Sequence, residues 1–253
     1  MKQSFGWLMD VNLISDALYY ACMLVEAALI IYLVWVKRLK GEITPAFYVA
    51  FLLAADLARA CVLRLHGLAS RQYYYVYWST DVLLVIAAFL LVCLFFRRAC
   101  LHEKKIWGSV RLLLLFVFVL VTGISGLSFS HNFSHLFTYF IIEFNQNLYF
   151  ACLLLNTLLY ILLQQIESTD EELGLLVCGV GIQFAGPTAT MALVHLTTGE
   201  SFAQSLFYRA MPLCTLAMLL VWAHALVHVK DRATQVARRK IPALAGVTAD
   251  SNV

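Results

Sequence analysis

The sequence predicts an all-α membrane protein: a bundle of seven transmembrane helices with its N-terminus outside and its C-terminus in the cytoplasm. Three observations predict it. Of 253 residues, 62% are hydrophobic and only 13% charged, whereas a soluble domain carries about 25% charged residues. The charge is confined to short clusters between seven nearly uncharged runs, each long enough to cross about 30 Å of hydrocarbon at about 1.5 Å per residue. Lys and Arg, finally, collect in alternate connections.

The runs fall at 13–36, 44–65, 73–96, 106–127, 136–164, 172–197 and 203–229. The connections are short, and pieces of that size build no extramembrane domain. Any site is therefore expected inside the bundle or at its mouth. The stretch before the first run contains Asp10 and Asp16 and lacks the pattern of a cleaved secretory signal, so the first run is expected to stay as an anchor. Residues 230–253 read as a basic cytoplasmic tail without fold.

Orientation follows from the basic residues near span ends, which concentrate on the cytoplasmic side. Lys37, Arg38 and Lys40 follow span one; Arg97, Arg98, Lys104 and Lys105 follow span three; Lys230, Arg232, Arg238, Arg239 and Lys240 follow span seven. Opposing these twelve are Lys2, Arg64 and Arg71. A multi-pass protein of the cell membrane is expected. Trp35, Trp107 and Trp222 fall near the inner interface, and Trp7 with the run Tyr73, Tyr74, Tyr75, Tyr77 and Trp78 near the outer one, where amphipathic rings anchor spans. The connection before span six has no Lys or Arg. There Ser168 or Thr169, with Glu171 or Glu172 three residues on, reads as a capping box. Its acidic residues also suit a basic partner or the chain's own tail.

Six of the seven cysteines lie within spans and Cys100 just beyond one, so no disulfide framework is expected. Cys100 is placed where a palmitoyl group is accepted. Pro187, after Gly186, interrupts span six, and Pro212 interrupts span seven. Each removes a backbone donor and predicts a hinge at Gly186, Pro187 and Pro212. Gly174, Gly179, Gly181 and Gly186 predict close approach of span six to a neighbour.

Charges inside the spans carry the functional signal, because each costs roughly 2.5–3.5 kcal/mol near the bilayer centre and avoids lipid. Arg59, Asp81, Glu143 and Arg209 share one depth, roughly 9–12 Å below the outer surface. The simplest pairing is Arg59 with Asp81 and Arg209 with Glu143. Tyr74, Tyr77, Trp78 and Asp81 share a side of span three; Tyr139, Glu143, Gln146 and Asn147 share a side of span five. An outer-half cavity with a charged floor and aromatic walls would suit a small molecule. Asp56 and Glu26 lie deeper and offer an acidic path inward. Arg111 is shallower and able to snorkel.

Several chemistries are excluded or weakened. No lysine lies within a span, so a retinal Schiff base has no attachment point. Span three ends in Phe95-Phe96-Arg97-Arg98 rather than Asp-Arg-Tyr, and span seven lacks Asn-Pro-x-x-Tyr. His131 with His135 and His224 with His228 have metal-ligand spacing. Yet a catalytic zinc takes three protein ligands, and no early span supplies a third histidine. No metal or cofactor is expected. The tail is better matched to anionic lipid headgroups than to nucleic acid.

The segment Tyr75-Val76-Tyr77-Trp78 with Asp81, preceded by the span-two stretch from Thr44 to Arg59, resembles a group of uncharacterised bacterial seven-span proteins. Those proteins have glutamate where this chain has Asp81. The resemblance implies the seven-span fold and brings no activity.

The expected function is that of a non-enzymatic, receptor- or sensor-like protein binding a small molecule in the outer half and acting through a signalling partner. A proton-coupled carrier using Glu26 and Asp56 is the alternative, and a structural subunit with closed ion pairs is a third.

Overall fold

A computed structural model of the chain describes residues 2–35, 43–67, 70–100, 104–128, 136–166, 170–196 and 200–229. Side chains are described from Ala17 onward, except at 104–106, 127–128, 136–139, 142, 191, 193–196, 200–209 and 228–229. The basic tail and the His131–His135 pair lie outside the described residues.

Seven helices follow one another: α1 Lys2–Trp35, α2 Ile43–His66, α3 Arg71–Ala99, α4 Lys104–Ser128, α5 Leu136–Gln165, α6 Glu171–Leu196 and α7 Glu200–His224. A π-helical turn, Ala225–Val229, continues α7. Every helix is long and apolar enough to cross a membrane. The boundaries follow the uncharged runs closely, except that α1 begins at Lys2 rather than near 13. The polar residues before the first run contain no proline, so nothing in them stops a helix already nucleated in the apolar run.

Local chemistry sets the visible helix ends. Gly67, at φ +76°, closes α2 by donating its N–H to the Leu63 carbonyl at 2.9 Å, a left-handed cap that favours glycine. Ser70 then opens α3, its hydroxyl accepting the Tyr73 N–H at 3.1 Å. At α6 the cap differs from the expected box: Asp170 accepts the Leu173 N–H at 3.1 Å. Ser168 and Thr169 lie outside the described residues.

Around the bundle the helices run α1, α2, α3, α5, α6, α7 and back to α1, with α4 outside the ring against α5 and, more lightly, α3. α3 also reaches α6, so it is the most central helix. Side-chain pairs fix the polarity. Asp81 and Asn145 meet near the starts of α3 and α5, while Arg98 at the end of α3 meets Asp170 at the head of α6. The bundle thus has an aromatic end, at the α2–α3 turn, and a basic end, where α3 finishes.

Phe95, Phe96, Leu148, Phe184, Leu219 and Trp222 are among the fully buried side chains. The broadest contact joins α6 to α7, and glycine makes it possible. A Cβ on Gly179 would stand 2.7 Å from the Trp222 ring, and one on Gly186 would collide with the Cys214 sulfur. Gly181 faces α5 instead, against Asn156. Gly174 has no neighbour within 4 Å, so it is not part of the close approach that its position predicts. Cys100 is 2% exposed, packed at the end of α3. The thiol is therefore out of reach of the acylation its position suggested.

Candidate functional site

The prominent polar cluster within the spans lies at the aromatic end, where α2, α3 and α5 meet. Arg59 comes from α2, one turn after Asp56, and its guanidinium lies 3.9 Å from the Asp56 carboxylate. It lies 3.5 Å from Asp81 of α3, so the pair expected from shared depth is present. Arg59 Nε donates to the Thr80 hydroxyl at 2.7 Å, and its charge stands 4.7 Å over the Tyr77 ring, within cation–π range. The other Asp81 oxygen accepts from Asn145 Nδ2 of α5 at 2.6 Å. One cation is thus shared between two carboxylates, a hydroxyl and an aromatic face.

Side-chain exposures of 16% for Arg59, 14% for Asp56 and 17% for Asp81 make this a partly open cluster rather than a sealed ion pair. The aromatics continue from it toward the end of the bundle. Tyr77 meets Trp78 edge-on at 5.6 Å and Tyr73 at 6.2 Å; Tyr74 meets Trp78 at 6.1 Å. Tyr74 and Tyr75 are exposed, and Arg71 lies over Tyr75. Tyr77 therefore belongs to the charge cluster, and Tyr74 with Tyr75 to the surface.

α5 turns differently from its predicted polar face. Asn147 reaches outward to the Ser125 hydroxyl of α4 at 3.2 Å, and the residue facing Asp81 is Asn145. Two positions along a helix rotate a side chain by about 200° and one by about 100°, which separates Asn145 from Glu143 and, less widely, from Gln146. Glu143 makes no hydrogen bond or ion pair with a described residue. The Arg209 side chain lies outside the described residues, and with it the Arg209–Glu143 pairing. Asn145 and Thr80 were not singled out by sequence; Thr80, next to Asp81, carried a signal only in hindsight of the helix order.

Below the cluster the polar groups thin out. Tyr19 of α1 donates to the Asp56 carbonyl at 2.9 Å, and Cys22 donates its thiol to the Pro212 carbonyl of α7 at 3.3 Å. Glu26, one turn beyond Cys22, is 0% exposed, and neither carboxyl oxygen has a hydrogen-bond partner among the described residues. Farther in, Tyr48 of α2 donates to Gln183 of α6 at 3.2 Å. Pro187 and Pro212 flank the tight α6–α7 contact, where the Thr190 hydroxyl bonds the Gly186 and Pro187 carbonyls at 2.9 Å each.

A second cluster stands at the basic end. Arg98 of α3 bonds Asp170 through two nitrogens, at 3.1 and 3.3 Å, and lies 3.8 Å from Glu172. The acidic connection thus receives a basic group of the chain itself, from α3.

Fold and clusters define a seven-helix integral membrane protein with a partly open cation–carboxylate cluster at one end and an ionic link between α3 and α6 at the other. No family model matches the chain, and no curated protein or solved structure is significantly similar to it.

Proposed function

We propose that the protein is a receptor- or sensor-like protein of the cell membrane, in which a small polar molecule engages the Arg59–Asp81 cluster from outside and α3 conveys the event to the cytoplasmic end. One observation carries this reading: among the described residues, α3 alone contributes to both clusters. Tyr77, Thr80 and Asp81 stand near its start and Arg98 near its finish. Seventeen residues, 81 to 98, span about 25 Å of rigid helix. A ligand that takes over one of the Arg59 contacts changes what holds the head of α3, and the same helix bears the link to α6. The Lys/Arg bias supports placing the aromatic end outside, and the lack of any output domain in the short connections calls for a signalling partner at the basic end.

The test is a thermal-shift screen of the purified protein against small charged and zwitterionic molecules. Compounds stabilising the wild type should lose that effect in Asp81→Asn, and spin labels on the ends of α3 and α6 should change separation when they bind. Hits that ignore Asp81→Asn count against the site.

A carrier is the second reading, and Glu26 favours it. A fully buried carboxyl without a partner among the described residues is costly for packing alone, and it lies inward of Asp56. Accumulation of a hit inside proteoliposomes, lost in Glu26→Gln, would select the carrier over the receptor.

A further inference from the structure

Because α3 packs on α5 past α4, α4 leans away from α3 and leaves a groove of about 500 Å³ between them, within the roughly 300–1,000 Å³ range of small-molecule sites. Its walls are apolar: Ile86, Phe89, Leu90 and Cys93 on α3, and Leu112, Leu115 and Phe118 on α4, with Trp107 and Arg111 nearer the basic end. From Trp107 to Phe118 the groove follows α4 for about 16 Å, half of the roughly 30 Å hydrocarbon thickness. It therefore belongs to one leaflet.

We propose that the groove is a binding site for one anionic phospholipid of that leaflet, with an acyl chain between α3 and α4 and the headgroup phosphate at Arg111. The apolar length matches a chain of a single leaflet. Arg111 is exposed and makes no ion pair or hydrogen bond with a described residue, so its charge is available. Standing about 6 Å inside Trp107, it reaches the headgroup level by extending its stem along the groove. Basic groups gather at this end beside the Arg98–Asp170 link: Arg97 is exposed at the finish of α3, and α4 opens with Lys104 and Lys105. Phosphate is the complementary partner.

The full chain, purified in mild detergent, should retain roughly one phospholipid per chain, enriched in anionic classes when extracted and weighed by mass spectrometry. Phosphatidylglycerol added to delipidated protein should raise its melting temperature more than phosphatidylcholine does. Arg111→Gln should weaken the phosphatidylglycerol response about fivefold, the share of one basic residue at a membrane surface. Gly108 lines the groove with nothing within 4 Å of its Cβ position, so the backbone there has room for a side chain, and Gly108→Leu should crowd the mouth and release the retained lipid. Leu154→Phe, on the exposed face of α5, should change neither readout and shows that folding is preserved. Equal retention in all four proteins would overturn the proposal, as would a lipid-free wild type indifferent to phosphatidylglycerol. So would a lipid-free dimer cross-linked through Leu112→Cys, which would give the groove to a second copy.

Discussion

Asp81 and Asn145 are joined across α3 and α5 by a hydrogen bond of 2.6 Å, while the other Asp81 oxygen faces Arg59 at 3.5 Å. The carboxylate is the hub on which three helices meet. Thermal unfolding in detergent should reflect that position. Arg59→Gln and Asp81→Asn should each cost about 2 kcal/mol, between the values for exposed and fully buried pairs. The double variant should cost less than the sum. Asn145→Ala should cost about 1.5–3 kcal/mol, the range for a hydrogen bond to a charged group. Strict additivity of Arg59 and Asp81 would refute the coupling.

At the basic end, Asp170 both pairs with Arg98 and caps α6, while Arg98 serves as an ionic partner of Asp170 and Glu172. Their side chains are 36% and 31% exposed, so Arg98→Ala should cost no more than about 1 kcal/mol and the loss should shrink in high salt. Asp170→Ala also removes the α6 cap and should cost about 1 kcal/mol more. Equal losses would mean that the cap contributes nothing.

Glycines of α6 should sort by what their Cβ positions meet. Gly179→Ala and Gly186→Ala press on Trp222 and Cys214 and should destabilise by about 1–3 kcal/mol. Gly174→Ala meets nothing and should stabilise by about 0.5–1 kcal/mol through helix propensity. Pro187→Ala should leave insertion intact while altering any ligand response, since the α6–α7 pair is held together at that level.

Glu26 gives a prediction opposite to that for Asp81. With both oxygens buried and unpartnered among the described residues, Glu26→Met, similar in volume, should raise the melting temperature, removing a desolvation cost of about 1–3 kcal/mol. A stabilised protein that no longer responds or transports would mark Glu26 as held for function. A destabilised one would show that the carboxyl has a structural partner.

Orientation is tested separately. A reporter active only in the cytoplasm should work when fused after Val253 and stay silent before Met1, given the Lys/Arg bias. Equal activity at both ends would break this topology, and activity only before Met1 would reverse the assignment of outside to the aromatic end.

Sequence by itself determined the number of spans and, but for the start of α1, their limits. These depend on runs of apolar residues against a fixed hydrocarbon thickness, which is a one-dimensional condition. It also placed Arg59 and Asp81 together, because α2 and α3 are joined by a turn of a few residues and antiparallel neighbours bring equal depths into contact. Only the tertiary structure decided that α3 bypasses α4 to pack on α5. That arrangement gave Asp81 to Asn145 rather than Glu143, turned Asn147 toward Ser125, buried Cys100 and led Arg98 to Asp170. Rotation and neighbour order are set by how side chains of different helices fit together, glycine against tryptophan at Gly179 and Trp222 above all. In a chain where apolar residues serve lipid and core alike, hydropathy along one helix carries no record of which side meets which neighbour.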